Sequence, residues 1–196
     1  AGSAVILAVQ MGVARGIFSN ESGLGTGAIA AASAITDQPV RQAMVSMTQT
    51  FIDTLIMVTL TALTIIVTGA WMQEGLAGAP MTAWAVEQAV GGGWGNVMVA
   101  LGVLVFSFTT LLGWCYYGER CIEMLVGRRG VLPYRIAFSL VVYVGAVLSL
   151  EMVWTFSDIA NGLMALPNLI GLLLLSGVVA NETRKYFANP EWRKAE

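Results

Sequence analysis

Long apolar stretches separated by short polar segments dominate this chain of 196 residues. Four of the stretches approach or exceed the roughly 20 mostly apolar residues that are needed to cross a bilayer. They occupy about residues 43–69, 97–126, 133–150 and 153–180. An earlier apolar stretch, residues 2–36, is interrupted at its centre, and its parts 2–18 and 24–36 are each short for a span. We expect these parts to form one broken membrane helix, which predicts five membrane elements in total.

A long connection, residues 70–96, separates the second element from the third. Within it, residues 81–90 favour a short helix with Thr82 as a possible N-cap and the glycines after residue 90 as its end. The apolar residues of this helix suggest that it lies against the outside of the bundle. Two interpretations stay open, an ordinary external helix and a mobile lid over a permeation path.

The composition favours a membrane protein over a soluble enzyme. Hydrophobic residues make up 57% of the chain and charged residues 11%, whereas soluble domains are about a quarter charged. The chain has no histidine, which excludes imidazole acid–base chemistry and histidine–metal sites. Cys115 and Cys121 lie on different helix faces and suit packing better than a metal site. The net charge of −2 gives no sign of nucleic-acid binding.

Basic residues collect on alternate sides of the predicted spans. They lie between the first and second elements, between the third and fourth, and in the tail 181–196: Arg41, Arg120, Arg128, Arg129, Arg135, Arg184, Lys185, Arg193 and Lys194. The connection 70–96 has none, so the positive-inside rule places the tail in the cytoplasm. The remaining basic residue, Arg15, follows an apolar run in a chain without an initiator Met. That order is the reverse of a signal peptide, so we expect a piece of a larger protein.

The interruption at residues 16–28, GIFSNESGLGTGA, carries the strongest chemical signal. A glycine inside a helix costs about 1 kcal/mol, and a charge at the bilayer centre costs at least about 2.5–3.5 kcal/mol. Non-helical backbone survives at membrane depth only inside protein or beside a water-filled cavity. Free carbonyls at such a break suit sodium, and free N–H groups suit a carboxylate. The break therefore predicts an amino-acid transporter site; an extramembrane loop or a glycine-lined packing contact is the alternative.

Residues 15–30, RGIFSNESGLGTGAIA, closely resemble the signature of the alanine/glycine:cation symporters, also called sodium:alanine symporters. FSFTTLLGWCYYGERC (106–121) and PNLIGLLLLSG (167–177) resemble later helices of that family. The resemblance covers essentially the whole chain as the C-terminal half of the family. It implies an all-α membrane protein, the second five-helix inverted repeat of a leucine-transporter-like fold with its first helix broken. Ser22 stands where alanine is usual, which leaves the substrate preference open.

The resemblance also implies roles for residues at the break. It places three residues beside the substrate: Phe18, Ser19 and Asn20. Glu21 is expected to be structural, bridging the half-helices by accepting backbone N–H bonds and pairing with Arg15. Two glycines are expected to permit the turn and the close approach of helices: Gly23 and Gly25.

Hydroxyl groups on the third span form a second candidate set. Ser107, Thr110 and Trp114 are spaced to share one helix face, and Thr109 lies next to them. Hydroxyl oxygens are suitable sodium ligands, and similar folds place a sodium site on this helix. Trp114 would wall a small pocket. The alternative is that the hydroxyls bond to their own helix and that the tryptophan only packs.

Further polar residues in the spans are predicted to be structural. Threonines at helical spacing on the second span favour hydrogen bonds between helices: Thr50, Thr54, Thr61, Thr64 and Thr68. Asp53 and Asp158 each need a partner or water if they lie at membrane depth. Pro167 should kink the last span, and Asn168 would then satisfy the carbonyls that the proline frees.

These observations predict symport of a small neutral amino acid, alanine or glycine, with sodium across the cell membrane. The expected partners are the amino acid, sodium, the lipid bilayer and the missing N-terminal half. No bond is made or broken, so neither an enzyme activity nor a cofactor other than sodium is expected. The alternatives are a proton- or other-ion-coupled carrier of the same fold and a non-transporting membrane subunit. Without histidine or a nucleophile–base pair, an intramembrane enzyme is the weakest option.

Overall fold

The computed structural model describes residues 2–21 and 23–189, and all regular secondary structure in these ranges is helical. The helices are α1 (Gly2–Asn20), α2 (Thr26–Ala31), α3 (Pro39–Phe51), α4 (Thr59–Val67), α5 (Ala79–Val90), α6 (Trp94–Val126), α7 (Val131–Val147) and α8 (Leu150–Ala188). A π-helical segment, Ile52–Val58, joins α3 to α4, and 3-10 turns cover Ala70–Met72 and Arg128–Gly130. The predicted all-α class is confirmed.

Five helical stretches of the described chain are long and apolar enough to cross a membrane: Gly2–Asn20, Pro39–Val67, Trp94–Val126, Arg128–Val147 and Leu150–Ala188. Few side chains are buried, and most large apolar residues of these helices are exposed. Exposed apolar surface on this scale is typical of protein that faces lipid or further protein. In the described helices, most large apolar side chains thus lie at the surface and few lie in a buried core.

The chain divides into two compact units. The first combines Ala1–Phe51 with Ile136–Glu196 and contains α1, α2, α3, α8 and most of α7. The second, Ile52–Arg135, contains the π segment, α4, α5 and α6.

The interrupted element of the first unit consists of two helices of unequal length. α1 ends at Asn20, two residues beyond the predicted limit, and by itself reaches spanning length. α2 has only six residues, far fewer than the predicted 24–36. We call the described non-helical residues between these two helices, Glu21 and residues 23–25, the break.

In the second unit, α5 is fixed to the start of α6. The carboxylate of Glu87 accepts hydrogen bonds from the backbone N–H groups of Gly93, at 2.6 Å, and Asn96, at 3.1 Å. The predicted cap at Thr82 was wrong, because Gly78 is the N-cap and the Thr82 hydroxyl donates back to its carbonyl at 3.4 Å. The glycines do end the helix, at Gly91. Any movement of α5 must therefore disturb the first turn of α6.

Three threonines in α4 and at its C-cap donate to a carbonyl one turn earlier in the chain and not to another helix. Thr61 donates to Met57 of the π-helical segment at 2.9 Å, Thr64 to Leu60 at 2.8 Å, and Thr68 to Thr64 at 2.7 Å. The interhelical prediction was wrong for these three because the preceding turn offers a carbonyl at every helical position.

Candidate functional site

Three residues of the break have a left-handed backbone conformation. φ is 56° at Glu21, 83° at Gly23 and 87° at Gly25. Glycine adopts such angles freely, but a residue with a Cβ loses about 1–2 kcal/mol. The N–H of Glu21 donates to the Phe18 carbonyl at 3.4 Å, and the N–H of Leu24 donates to the Glu21 carbonyl at 3.3 Å. The break is thus a strained turn at Glu21 that surrounding contacts must maintain.

Two residues at the end of the break are among the most buried in the described chain. Leu24 is 5% exposed and Thr26, the first residue of α2, is 7% exposed. The hydroxyl oxygen of Thr26 is buried without a hydrogen-bond partner among the described residues. Leaving such a group unpaired costs about 1–3 kcal/mol. The sequence analysis missed Thr26, although it is the hydroxyl residue within the glycine run GLGTG.

Asn168 of α8 contacts the break directly. Its side-chain Nδ2 donates a hydrogen bond to the Gly23 carbonyl oxygen at 2.9 Å. A Cβ built on Gly25 would lie 2.9 Å from the Asn168 Oδ1 atom. The prediction that Asn168 serves carbonyls freed in its own helix was therefore wrong about the partner: the amide satisfies a carbonyl in the break, 145 residues away.

On α1, Arg15 forms a bidentate ion pair with Asp158 of α8. The Nη1–Oδ1 and Nη2–Oδ2 distances are 2.8 and 3.0 Å. The Arg15 guanidinium also lies 4.1 Å from the centre of the Trp154 ring, and that ring meets Phe18 edge to face at 6.1 Å. The predicted pairing of Arg15 with Glu21 was wrong, because Arg15 pairs with Asp158. Arg15 is thus the partner that Asp158 was expected to need.

The other predicted residues of this region lie at the end of α1 and at the turn. Ser19 and Asn20 close the helix, and neither is without a partner. The carboxylate Oε2 of Glu21 lies 3.9 Å from where a Cβ on Gly27 would be, beside α2. No hydrogen bond from a backbone N–H to this carboxylate is found among the described residues, so the expected bridging role of Glu21 gains no support there.

The candidate cation ligands lie on α6, in the second unit. The Thr109 hydroxyl donates to the Phe106 carbonyl at 3.0 Å, which leaves its oxygen lone pairs as acceptors. Trp114 meets Tyr117 edge to face at 6.0 Å. Ser107 and Thr110 are exposed on α6. Their role in binding sodium stays a prediction.

The cytoplasm-facing end predicted for α6 carries a charged cluster that the sequence analysis did not identify. Glu119 is only 6% exposed, and both of its carboxylate oxygens accept hydrogen bonds from Arg135 of α7, one of them at 2.9 Å. The Cys115 thiol lies 3.6 Å from the same carboxylate. The Tyr134 hydroxyl occupies the place that a Cβ on Gly118 would take. We call this cluster the α6–α7 joint.

The fold and the break together indicate the class of membrane protein to which the chain belongs. Apolar helices of spanning length, with a non-helical glycine-rich segment held by polar contacts, are features of a multi-pass membrane transporter. The sodium:alanine symporter family matches residues 1–196, and the chain belongs to this family. The resemblance that was found in the sequence is confirmed.

Individual relatives agree with this placement. The chain is 54% identical over 186 residues to an uncharacterized transporter of Haemophilus influenzae, covering 95% of this chain and 41% of the relative. It is 49% identical to a protein of Methanococcus maripaludis named sodium/alanine symporter AgcS, covering 94% and 41%. A Bacillus subtilis protein named probable sodium/glutamine symporter GlnT is 37% identical, covering 95% and 39%. The chain thus spans about two fifths of the length of these relatives. No solved structure matches it.

Proposed function

We propose that this chain forms the C-terminal half of a sodium-coupled symporter for small neutral amino acids, alanine or glycine. The transporter would lie in the cell membrane with its C-terminus in the cytoplasm. The observation that carries the proposal is the break, where Glu21, Gly23 and Gly25 hold left-handed backbone at the end of a helix of spanning length. Two relatives are named as symporters of sodium with an amino acid, which supports the same class of transport.

The geometry of the break suits the binding of a cation together with an amino acid. A helix that ends at Asn20 directs its last carbonyl oxygens toward the break, and carbonyl oxygens are sodium ligands. Phe18, Ser19 and Asn20 occupy this last turn and are the proposed substrate contacts. Gly23 and Gly25 give the backbone the freedom to approach a bound solute closely.

Coupling would use the sodium gradient as the energy source. Each positive charge that enters the cell gains about 2.3 kcal/mol per 100 mV of membrane potential. In the second unit, Ser107, Thr109 and Thr110 are proposed as candidate sodium ligands, and Trp114 as the wall of a small pocket beside them. No step breaks or makes a covalent bond, so the proposed activity needs no cofactor other than sodium.

Uptake in proteoliposomes tests this function. The full-length transporter that contains this chain is reconstituted, and labelled alanine, glycine and glutamine are supplied with and without an inward sodium gradient. We expect sodium-driven uptake of alanine or glycine, and a loss of at least tenfold in Asn20→Ala at matched amounts of folded protein.

The competing functions give different results in the same experiment. Uptake that follows a proton gradient without sodium would support a carrier with another coupling ion. Uptake of glutamine alone would overturn the proposed substrate. Well-folded protein that takes up none of the three amino acids under either gradient would overturn the symporter proposal and favour a non-transporting membrane subunit.

A further inference from the structure

We propose that Asn168 of α8 is a positioning residue, which holds the break in the shape that binds sodium and substrate. This inference rests on the proposed function, because it assigns a role to Asn168 in that same site. Asn168 is itself neither one of the predicted substrate contacts nor one of the predicted cation ligands. Its partners are the backbone of Gly23 and Gly25.

The first support is the hydrogen bond from the Asn168 amide to the Gly23 carbonyl oxygen, at 2.9 Å. Gly23 lies outside both α1 and α2, so its carbonyl takes no part in a helical ladder. A carbonyl without a partner is costly where water is excluded. By donating to this carbonyl, Asn168 stabilises the left-handed turn over alternatives in which the carbonyl turns elsewhere.

The second support is steric complementarity at Gly25. Its φ of 87° favours glycine, and a Cβ there would lie 2.9 Å from Oδ1 and 3.1 Å from Cγ of Asn168. The amide group therefore occupies the space that any side chain at position 25 would need. Gly25 immediately precedes Thr26, so this contact also fixes where α2 begins.

The third support is the position of Asn168 on α8. It directly follows Pro167, which lies inside the helix and has no N–H to offer the preceding turn. Bends in helices concentrate at such prolines. Further toward the start of α8, Asp158 holds Arg15 of α1. α8 therefore contacts α1 before the break, at Arg15, and the break itself, at Gly23, so a bend at Pro167 would shift Gly23 through the Asn168 amide.

The Asn168 amide supplies both contacts, through its donor to Gly23 and its oxygen beside Gly25. Aspartate would place a carboxylate oxygen against the Gly23 carbonyl oxygen and, being ionised at neutral pH, has no proton to donate. Alanine would remove the donor and leave the carbonyl without this partner.

The first test measures the kinetics of the full-length transporter in proteoliposomes with Asn168→Ala and Asn168→Asp. The matched control is Asn181→Ala, an exposed asparagine on the same helix. Losing the hydrogen bond to the part-buried Gly23 carbonyl corresponds to roughly a tenfold change in binding. We expect the alanine KM or the half-saturating sodium concentration to rise by about that factor in both Asn168 variants. Asn181→Ala should match the unmodified protein.

The second test is a double-mutant cycle read by thermal unfolding in detergent and by uptake. Gly25→Ala introduces a collision with Asn168 in addition to backbone strain, so its effect should shrink markedly when Asn168→Ala is also present. Gly27→Ala is the control, because the nearest atom to its Cβ is Glu21 Oε2 at 3.9 Å. Its effect should be additive with Asn168→Ala.

The outcomes separate this inference from the function on which it rests. Sodium-driven uptake by the unmodified transporter together with unchanged KM and sodium dependence in both Asn168 variants would overturn the inference alone. A loss confined to the amount of folded protein would also overturn it, because that result marks a purely structural contact. Absence of uptake by the unmodified transporter would overturn both, and the cycle would still show whether Asn168 and Gly25 are in contact.

Discussion

The break in the first unit and the α6–α7 joint in the second both place polar groups among apolar helices. The two regions differ in whether those polar groups have hydrogen-bond partners. At the joint, the buried Glu119 carboxylate has a donor from Arg135 on each oxygen. At the break, Glu21 holds a left-handed backbone and the Thr26 hydroxyl is buried without a described partner. Satisfied buried groups support structure, whereas strain and unsatisfied groups concentrate where a ligand binds. The difference is the reason for proposing a supporting role for the joint and ligand binding at the break.

The ion pair that flanks the break gives the largest expected effect. Arg15→Gln or Asp158→Asn alone leaves one charge without its partner, and an unpaired charge inside a span costs about 2.5–3.5 kcal/mol. We expect each single variant to lower the amount of folded full-length transporter roughly tenfold. The double variant, which removes both charges, should recover most of the loss. The measurement is detergent-soluble monodisperse protein per cell.

A control pair lies near the other end of α8. Lys185 and Glu182 are 2.7 Å apart, three residues from each other, and largely exposed. Lys185→Gln should leave the amount of folded protein unchanged, because exposed pairs of this kind contribute little. The contrary outcome is a double variant of Arg15 and Asp158 that yields as little folded protein as the single variants. That result would contradict the view that the two charges stabilise the protein by neutralising each other.

The position of the break could be predicted from sequence, but its contacts could not. Glycines and a charge within an apolar stretch are incompatible with a plain membrane helix, and this local signal located the interruption. The partners of Arg15 and Gly23 are 143 and 145 residues away. The sequence around Asp158 or Asn168 does not indicate which distant residue each of them contacts. Such contacts follow from the packing of α8, which the pattern of apolar residues does not specify.

The threonines of α4 show a second limit of the sequence. A spacing of three or four residues puts hydroxyls on one helix face, and the same spacing puts each hydroxyl within reach of a carbonyl one turn earlier. Thr61 and Thr64 take that nearer acceptor. Periodicity therefore groups these hydroxyls but does not decide between an acceptor in the preceding turn and one in another helix.

The α6–α7 joint provides the next largest expected effect. Glu119→Ala removes the acceptor of Arg135 from a buried position and should lower the melting temperature of the full-length transporter by about 5 °C. Glu123→Ala is the matched control on the same helix, since Glu123 pairs with Arg120 and the well-exposed Arg128. Its effect should be about 1 °C. Equal decreases in melting temperature for the two variants would show that the burial of Glu119 does not make its ion pair more stabilising than that of Glu123.

A steric test at the same joint gives a smaller effect. Gly118→Ala would bring a Cβ into the space of the Tyr134 hydroxyl and ring. We expect a destabilisation of about 1–3 kcal/mol, the usual range for overpacking. Gly113→Ala on the same helix meets nothing within 4 Å and should be neutral or gain up to about 1 kcal/mol from helix propensity. Thermal unfolding in detergent measures both variants, and a neutral Gly118→Ala would mean that Tyr134 moves aside freely.

Thr26 gives the smallest change in stability and separates the two regions most directly. Thr26→Val keeps the shape of the side chain and removes the buried hydroxyl, which has no described partner. If the break maintains an unsatisfied group for a ligand, this variant should gain about 1 kcal/mol of stability and lose sodium-driven uptake. Thr26→Ser, which retains the hydroxyl, should keep the uptake. The opposite result, lower stability with unchanged uptake in Thr26→Val, would make the hydroxyl a structural group like Glu119 and would remove the distinction between the break and the joint.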